Sequence, residues 1–221
     1  AGCEEAGCAL LGGETAEMPD LYAPGHFDLA GFAVGVVERD RQITPRLVKA
    51  GDVVIGLPSS GLHSNGYALA RRVLLKEAGL ALHEAHRSLG ESLADALLRP
   101  TCIYVRPVLE VLRGYRRRHA VTAMAHITGS GLPGNVPRAL PPDCDVVLES
   151  GAWPVPPICA LLQRYGVRED EMYRVFNMGI GFVMLVRPTS ATAVLRTLRR
   201  AGVEGLVIGK VRRGRGRLEF R

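Results

Sequence analysis

Short apolar runs of strand length alternate with amphipathic segments along this chain, and that alternation limits its possible folds more than any other feature. The apolar runs end at polar or glycine-rich turns, as strands do. The amphipathic segments repeat their apolar residues at helical spacing and end at glycine. Strands mixed with helices predict an α/β or α+β domain, in which helices flank a layered, mixed β-sheet. The predicted strands are Asp52–Gly61, Val121–His126, Gly179–Val186, Gly205–Val211 and Gly216–Phe220, and the predicted helices are Ser64–Gly79, Pro156–Gly166 and Thr189–Gly202.

The N-terminal part of the chain follows a different pattern. Residues 1–11 are typical of a helix end that runs into a short strand. The segment Phe27–Asp40 has apolar and small residues at strand period and ends in charge, which predicts a further strand. The segment Arg41–Asp52 then resembles a linker. The sequence therefore predicts a linker or a domain boundary within this segment.

Composition excludes several classes of protein. The longest apolar run, Gly179–Val186, is far shorter than the roughly 18 residues that a membrane helix needs. The first residues lack the basic region of a signal peptide. The five cysteines are odd in number and scattered, which is typical of reduced and mostly buried thiols rather than a disulfide framework or a zinc site. We therefore expect a soluble, cytoplasmic protein that does not bind membranes.

The formal net charge of +6 allows two interpretations. A basic surface can bind nucleic acid, or basic groups can line a site for phosphorylated small molecules. The densest basic clusters, Arg116–His119 and Arg212–Arg217, contain no aromatic residues on which bases could stack. This favours solvated loops and a hairpin tip, although a non-catalytic, nucleic-acid-binding fragment remains the alternative.

Three glycine-rich loops share one design. They are GGETAEMP (Gly12–Pro19), SSGLHSNG (Ser59–Gly66) and HITGSG (His126–Gly131), here called the first, second and third loops. Each follows a predicted strand and carries small hydroxyl or amide side chains. Glycine lets backbone N–H groups approach an anion closely. A single loop of this kind is more often a helix cap and a turn, but three in a basic chain predict phosphate binding.

Four side chains in or near these loops are candidates for chemistry. Glu14 would repel phosphate unless a cation stood between them, so it implies Mg²⁺; the alternative is a surface glutamate in a turn. His63 and His126 are candidate acid–base groups, although a lone histidine is more often structural. Asn177 precedes a predicted buried strand, where it either forms a turn or contacts a substrate.

Several ordered segments resemble the phosphoribosylformylglycinamidine cyclo-ligase family. They are GGETAEMPDLYAPGHFDLAGFAVGVVERD, SSGLHSNGYALARRVL, PTCIYVRPVLEVL, AHITGSGLPGNVPRALP and FNMGIG, and together they extend the resemblance over essentially the whole chain. The resemblance implies that residues 1–42 are the C-terminal end of an ATP-binding domain that is truncated here. It implies that residues 43–221 are a C-terminal synthetase domain. The missing initiator methionine also fits a fragment or an incomplete gene product.

The resemblance also implies an activity. The family uses ATP and Mg²⁺ to convert formylglycinamidine ribonucleotide to aminoimidazole ribonucleotide in purine biosynthesis. It implies a homodimer when the protein is intact, no nucleic-acid partner, and an isolated chain that is inactive without its N-terminal part. The alternative is a related enzyme of the same superfamily that activates a different amide or carboxylate oxygen.

Individual residues acquire expected roles from the same motifs. His63 and His126 are the expected catalytic residues. Glu14 is the expected metal ligand. The expected ATP contacts are Gly12, Gly13, Glu14 and Thr15, and the expected substrate contacts are Ser60, Gly61, His63, Ser64, Asn65, Thr128, Gly129, Gly131 and Asn177.

Three positions depart from the family pattern. Ser130 stands where a third glycine is usual, Gly134 where an acidic residue is common, and Met178 where cysteine is common. A serine at position 130 would crowd the approach of phosphate to the backbone of the third loop if its φ had to be positive. These departures therefore bear on the role of the third loop more than on that of the other two.

Overall fold

The fold is built around a six-stranded sheet. A computed structural model describes residues 1–115 and 119–221. The strands of this sheet are β1 (Val53–Pro58), β4 (Val121–His126), β5 (Cys144–Leu148), β6 (Ile180–Val186), β7 (Leu206–Arg213) and β8 (Leu218–Phe220), and a separate pair consists of β2 (Ala85–His86) and β3 (Glu91–Ser92). The strand order is β4-β6-β1-β7-β5-β8, and β5 pairs with β8 in parallel whereas the other neighbours are antiparallel. This confirms the predicted mixed sheet.

Helices occupy most of the connections between strands. The helices are α1 (Gly2–Ala6), α2 (Tyr67–Ala70), α3 (Leu93–Leu98), α4 (Val105–Gly114), α5 (Gly131–Asn135), α6 (Pro157–Arg164), α7 (Glu169–Val175) and α8 (Pro188–Arg200). Helix α2 continues directly into π-helical turns at Arg71–Glu77, and 3₁₀ turns occur at Pro45–Leu47 and Val136–Ala139. The apolar residues of the longer helices recur at helical spacing, so each buries one side against a neighbour.

The two faces of the sheet are covered by different layers. Successive residues of a strand point to opposite faces, so Val54 and Ile55 belong to different apolar clusters. The Ile55 cluster includes residues of α4 and α8, and the Val54 cluster includes Trp153 and residues of α5. A third cluster joins α2, α3, α6 and α7 around Phe176. The result is the layered arrangement that the sequence predicts.

A buried ion pair fastens the start of β1 to the end of β6. Asp52 Oδ1 lies 2.8 Å from Arg187 Nη1, and the Asp52 side chain is 1% exposed. Asp52 Oδ2 accepts hydrogen bonds from Thr122 Oγ1 (2.8 Å) and from the Lys49 backbone N–H (3.1 Å). The carboxylate therefore joins β1, β4 and β6 at one end of the sheet.

The N-terminal strand predictions were wrong. Helix α1 is present, but no strand follows it in residues 8–11 and none forms over Phe27–Asp40, where the only element is a 3₁₀ turn at Arg39–Arg41. The side chains of Phe27 and Phe32 are exposed. A strand needs a neighbour to complete its hydrogen bonds, and the described residues supply none for this segment.

Two smaller predictions also need correction. Helix α2 begins at Tyr67 rather than Ser64, because Gly66 takes φ 81 immediately before it. The cluster Arg212–Arg217 is not a hairpin tip, because it connects β7 to β8 and both strands pair with β5 between them. Of the other basic cluster, residues 116–118 lie outside the described residues.

Two further observations concern composition. The five cysteines are unpaired, but Cys144 and Cys159 alone are buried, so the thiols are less buried than their scattered spacing suggested. Among residues 1–115 and 119–221, no helix has the length and apolarity required to cross a membrane.

Candidate functional site

The second loop is held by a buried amide. It leaves β1 after Pro58 and leads into α2. Asn177 Oδ1 accepts hydrogen bonds from Ser59 Oγ (2.9 Å) and the Gly179 N–H (2.8 Å), while its Nδ2 donates to the Gly61 carbonyl (2.8 Å). The Asn177 side chain therefore braces this loop, and its expected contact with substrate stays a prediction.

His63 links the second loop to the segment before α4. Its Nε2 accepts hydrogen bonds from the backbone N–H groups of Ser60 (3.1 Å) and Cys102 (3.4 Å). The residue is 4% exposed and has φ 60, which is unusual for a residue other than glycine. Burial, aided by the nearby charge of His126, lowers the pKa of His63 to about 4. The imidazole is therefore neutral at pH 7.

Asn135 performs the corresponding role in the third loop. Its Nδ2 donates to the carbonyls of Gly131 (2.7 Å) and Gly129 (3.0 Å), and its Oδ1 accepts from Thr128 Oγ1 (3.2 Å). The side chain is buried. The Asn135 amide therefore hydrogen bonds to two backbone carbonyls and one hydroxyl of the third loop. Asn135 was not identified from the sequence. The signal that could have identified it is its position, one helical turn after Gly131.

The structure brings the second and third loops together. A Cβ placed on Gly129 would lie 3.4 Å from Asn65 Oδ1, so these loops face each other. Ser64 Oγ hydrogen bonds with Thr101 Oγ1 at 3.0 Å. Because β6 is antiparallel to both β1 and β4, the two loops and the segment before β6 lie at the same end of three adjacent strands. The expected substrate contacts therefore occupy one region.

Tyr104 lies between the two predicted catalytic histidines, and sequence reasoning missed it. Its ring centre is 6.2 Å from that of His63 and 6.2 Å from that of His126. Its hydroxyl donates a 2.6 Å hydrogen bond to the Pro58 carbonyl at the end of β1. Burial raises the pKa of the Tyr104 hydroxyl, which remains a donor at neutral pH. Tyr104 thus ties the site to the sheet.

Gly181 is a steric requirement of this site. A Cβ at this position would overlap the Tyr104 hydroxyl and would lie 2.5 Å from His63 Cε1. A side chain at Gly181 would displace one ring or the other, since protein interiors have little free space. The second glycine of FNMGIG is therefore explained by the rings that approach it.

His126 is the more accessible of the two histidines. It is the last residue of β4 and lines a groove of about 510 Å³ with mainly apolar walls that include Met124 and Phe182. Its ring lies 6.2 Å from that of Phe182, and partial desolvation lowers the pKa of His126. A histidine at the rim of a groove can exchange protons with a bound molecule more readily than a buried one.

The first loop stands apart from the other two. Among the described residues, no atom apart from those of the chain neighbours lies within 4 Å of a Cβ placed on Gly12 or Gly13, and the segment Gly12–Thr15 is exposed. In the described ranges no hydrogen bond or ion pair involves Glu14, and no group of three or more histidine, cysteine, aspartate or glutamate residues could hold a metal. Glu14 alone therefore does not form a magnesium site, and the ATP and metal roles of this loop stay predictions.

The side chain of Ser130 fills the space next to Gly134. Ser130 has φ 74, so the positive value that would crowd the third loop is present. A Cβ on Gly134 would overlap the Ser130 Cβ and lie 3.3 Å from its Oγ. The two departures from the family pattern therefore belong together, because the side chain at 130 fills the space that a side chain at 134 would need.

A double-mutant cycle tests this coupling. Gly134→Ala is expected to lower the free energy of unfolding by about 1–3 kcal/mol, the usual cost of overpacking. In the Ser130→Gly background the same change should cost less, because its obstacle has gone. Urea unfolding of the parent, both single variants and the double variant gives the interaction energy. A cost for Gly134→Ala that is equal in both backgrounds would refute the coupling.

The buried imidazole should make stability depend on pH. His63 has a pKa of about 4 in the folded chain against its ordinary value of 6.5. Between these values the unfolded chain binds more protons, so this contribution is complete above pH 6.5 and is lost as the pH falls toward 4. We expect the urea midpoint to fall over this window, and to fall less in His63→Gln. Parallel pH profiles for the two proteins would contradict this.

Comparison with known proteins agrees with the fold. The family described as "AIR synthase related protein, C-terminal domain" matches residues 49–220. Phosphoribosylformylglycinamidine cyclo-ligases from Myxococcus xanthus and Bacillus pumilus are 53% and 48% identical over 216 residues. Each alignment covers 97% of this chain and 61% of the relative, so the chain spans less than two thirds of their length. The resemblance stated from the sequence is thereby confirmed.

Solved structures with the same fold are more distant in sequence. Thiamine-monophosphate kinase from Stenotrophomonas maltophilia has a TM-score of 0.52 at 17% identity, covering 83% of this chain and 54% of that chain. The hydrogenase maturation protein HypE from E. coli has a TM-score of 0.51 at 19% identity, covering 81% and 48%. At these identities the likeness concerns the fold alone.

Proposed function

Because the chain belongs to the family of AIR synthase related proteins, we propose that it is part of an ATP-dependent ligase that converts formylglycinamidine ribonucleotide to aminoimidazole ribonucleotide in purine biosynthesis. The observation that carries this proposal is the 53% identity to a cyclo-ligase, which extends over 97% of the chain. The ordered second and third loops support it, because they meet at one end of the sheet.

The proposed division of labour follows the two parts of the chain. Residues 1–42 belong to the end of an ATP-binding domain, and residues 43–221 form the synthetase domain. The family match over residues 49–220 and the continuous core of the sheet both support the second assignment. The exposed apolar side chains of Phe27 and Phe32 support the first, because such residues are ordinarily covered by a neighbouring layer.

The proposed reaction has two steps. ATP transfers its γ-phosphoryl group to the formyl oxygen of the substrate, which turns a poor leaving group into phosphate. The amidine nitrogen then attacks the activated carbon, the carbon–oxygen bond breaks, and phosphate departs with the electron pair. The formyl amide nitrogen and the attacking nitrogen each lose one proton, and a proton shift within the new ring completes the aminoimidazole. We propose that His126, which lines the groove, accepts the proton of the attacking nitrogen.

The second and third loops hold the substrate in this proposal. In this proposal, backbone N–H groups and small hydroxyls of these loops bind the ribose phosphate, far from the reacting atoms, and so fix the geometry of attack. Asn135 and Asn177 support the loops by donating hydrogen bonds to their backbone carbonyls. The proposed substrate contacts are Ser60, Gly61, His63, Ser64, Asn65, Thr128, Gly129 and Gly131, with the buried Asn177 as a further candidate.

The ATP side is proposed for the first loop. Gly12, Gly13, Glu14 and Thr15 would contact the nucleotide, with Glu14 as one magnesium ligand. A single carboxylate does not complete a magnesium site in the described residues, so we propose that nucleotide phosphate oxygens, waters or further carboxylates supply the remaining ligands. We also propose a cytoplasmic homodimer that binds small molecules rather than nucleic acid or membranes.

The test compares this chain with a protein extended to the length of its relatives. Both are incubated with Mg²⁺, ATP and formylglycinamidine ribonucleotide, and ADP and aminoimidazole ribonucleotide are measured. We expect product from the extended protein and none from residues 1–221, because phosphoryl transfer needs a complete set of donors and metal ligands.

A substrate panel separates the alternatives. Stimulation of ADP release by a different amide or carboxylate substrate alone would replace the proposal with another superfamily activity. Steep, salt-dependent binding of DNA or RNA, with no ADP release, would favour a nucleic-acid-binding protein. Equal turnover by the short and the extended protein would show that the nucleotide site lies within residues 1–221.

A further inference from the structure

His63 has a strained backbone, and the Nε2 atom of its side chain is fully used in hydrogen bonds. A non-glycine residue at φ 60 persists only where its surroundings hold it there. The constraint is visible at Nε2, which accepts the N–H groups of Ser60 and Cys102. These two donors lie on opposite sides of the junction between the second loop and the segment leading to α4. The ring therefore fastens the two segments to each other.

The same contacts determine which nitrogen carries the proton. An Nε2 that accepts two hydrogen bonds has no proton of its own, so the neutral ring carries its proton on Nδ1. Nδ1 is buried, and it is the single buried side-chain polar atom without a partner among residues 1–115 and 119–221. Protonating Nε2 would break both hydrogen bonds and bury a charge.

The groups around the ring do not favour a charged imidazole. His126 repels it, and the neighbours Tyr104 and Cys102 contribute no carboxylate. Gly181 lies beside the edge of the His63 ring and has no side chain that could carry a charge. Since no carboxylate of the described residues contacts the ring, a proton added to His63 in the unliganded chain would carry the full cost of burial.

We propose that His63 is a positioning residue, which acts as an imidazole that is neutral at neutral pH and holds the second loop in place, while proton transfer in the proposed reaction belongs to His126. The assignment of proton transfer to His126 rests on the proposed function, whereas the positioning role of His63 does not. It replaces the expectation, based on sequence, that both histidines exchange protons.

Nitrogen NMR of the imidazole rings tests the first half without any activity. The 221-residue chain is labelled with ¹⁵N, and ring signals are assigned with His63→Gln and His126→Gln. At pH 7 we expect His63 to be the neutral Nδ1–H tautomer, and to remain so down to about pH 5. A His63 ring protonated on Nε2, or one that titrates near its ordinary value of 6.5, would overturn the proposal.

Rescue by a conservative variant tests the second half in the extended protein. The Gln carbonyl oxygen can accept hydrogen bonds at the place of Nε2 but cannot exchange a proton. His63→Gln should therefore recover at least about tenfold in kcat over His63→Ala, and it should keep the pH dependence of the parent. His126→Gln should lower kcat by about 10²–10⁴-fold and change that pH dependence.

The outcomes separate the two proposals. If His63→Gln loses as much kcat as His63→Ala while both remain folded, His63 exchanges protons and the inference is wrong. If the extended parent forms no imidazole product, the proposed function fails, and the NMR measurement still decides whether His63 is a neutral positioning residue. If His63→Ala does not fold, the comparison of His63→Gln with the parent decides the same question.

Discussion

Asp52→Ala is expected to lower the free energy of unfolding by about 3–5 kcal/mol, as removal of one partner from a buried ion pair usually does. Asp52 is buried and lies 2.8 Å from Arg187 Nη1. Its loss would leave the guanidinium without a counter-ion and the Lys49 N–H without its acceptor, and Thr122 Oγ1 would keep only its 3.2 Å hydrogen bond to the Leu185 carbonyl. Urea unfolding followed by circular dichroism measures the effect.

An exposed ion pair provides the matched control. Arg168 Nε lies 3.0 Å from Asp170 Oδ1, with both side chains at least 70% exposed. Because solvent screens such a pair, Asp170→Ala should change the free energy of unfolding by less than about 1 kcal/mol. Equal losses in the Asp52 and Asp170 variants would show that burial does not govern these two interactions.

Gly131→Ala should damage both stability and the third loop. A Cβ at this position would overlap the Tyr173 carbonyl and lie 2.7 Å from the Phe176 carbonyl, and both are backbone atoms that cannot move aside alone. The residue also has φ 57. Overpacking costs about 1–3 kcal/mol and the left-handed backbone about 1–2 kcal/mol more, so we expect a total loss of about 2–5 kcal/mol. Urea unfolding measures it.

Gly151→Ala separates the two causes. Gly151 has φ 84, but nothing lies within 4 Å of a Cβ placed there. This variant should show only the backbone cost of about 1–2 kcal/mol. Thermal or urea unfolding of both variants gives the difference, which is the contribution of the overlap. A Gly151 loss as large as the Gly131 loss would indicate that φ alone is responsible.

Local pattern predicted most of the sheet because each strand has its own apolar run. Val121–His126 was predicted with its observed bounds, and the runs that became β1, β6 and β7 were found within a few residues. Strand β5 was missed, since CDVVL is short, contains the charged Asp145 and closely follows the prolines at 141 and 142. Its position between β7 and β8 depends on contacts between distant residues, which periodicity does not encode.

The predicted strand Phe27–Asp40 failed for the opposite reason. Its composition favours a strand, but a strand is stable only when a neighbour accepts its hydrogen bonds and covers its side chains. Among the described residues no such neighbour exists, and Phe32 is 94% exposed. Propensity alone therefore identified a segment that is able to form a strand without determining that it does so here.

The candidate site was predictable in its loops but not in its supports. Glycine-rich sequence marked the second and third loops, whereas Tyr104 and Gly181 have no local sequence signal of their roles and Asn135 has only its spacing from Gly131. Asn135 acts on a loop up to seven residues away, and the Tyr104 hydroxyl reaches back 46 residues to Pro58. Such contacts follow from the way strands β1, β4 and β6 align their ends, and only the folded chain shows them.

The shared space of Ser130 and Gly134 restricts the order in which these positions can change over evolutionary time. A side chain is gained at 134 with the smallest loss of stability after the one at 130 has been lost, because the two occupy the same volume. A lineage that starts from this sequence is therefore favoured to pass through glycine at both positions. In the reverse order, selection would act against an intermediate with two overlapping side chains. The favoured order of the two substitutions is therefore a property of the pair and not of either residue alone.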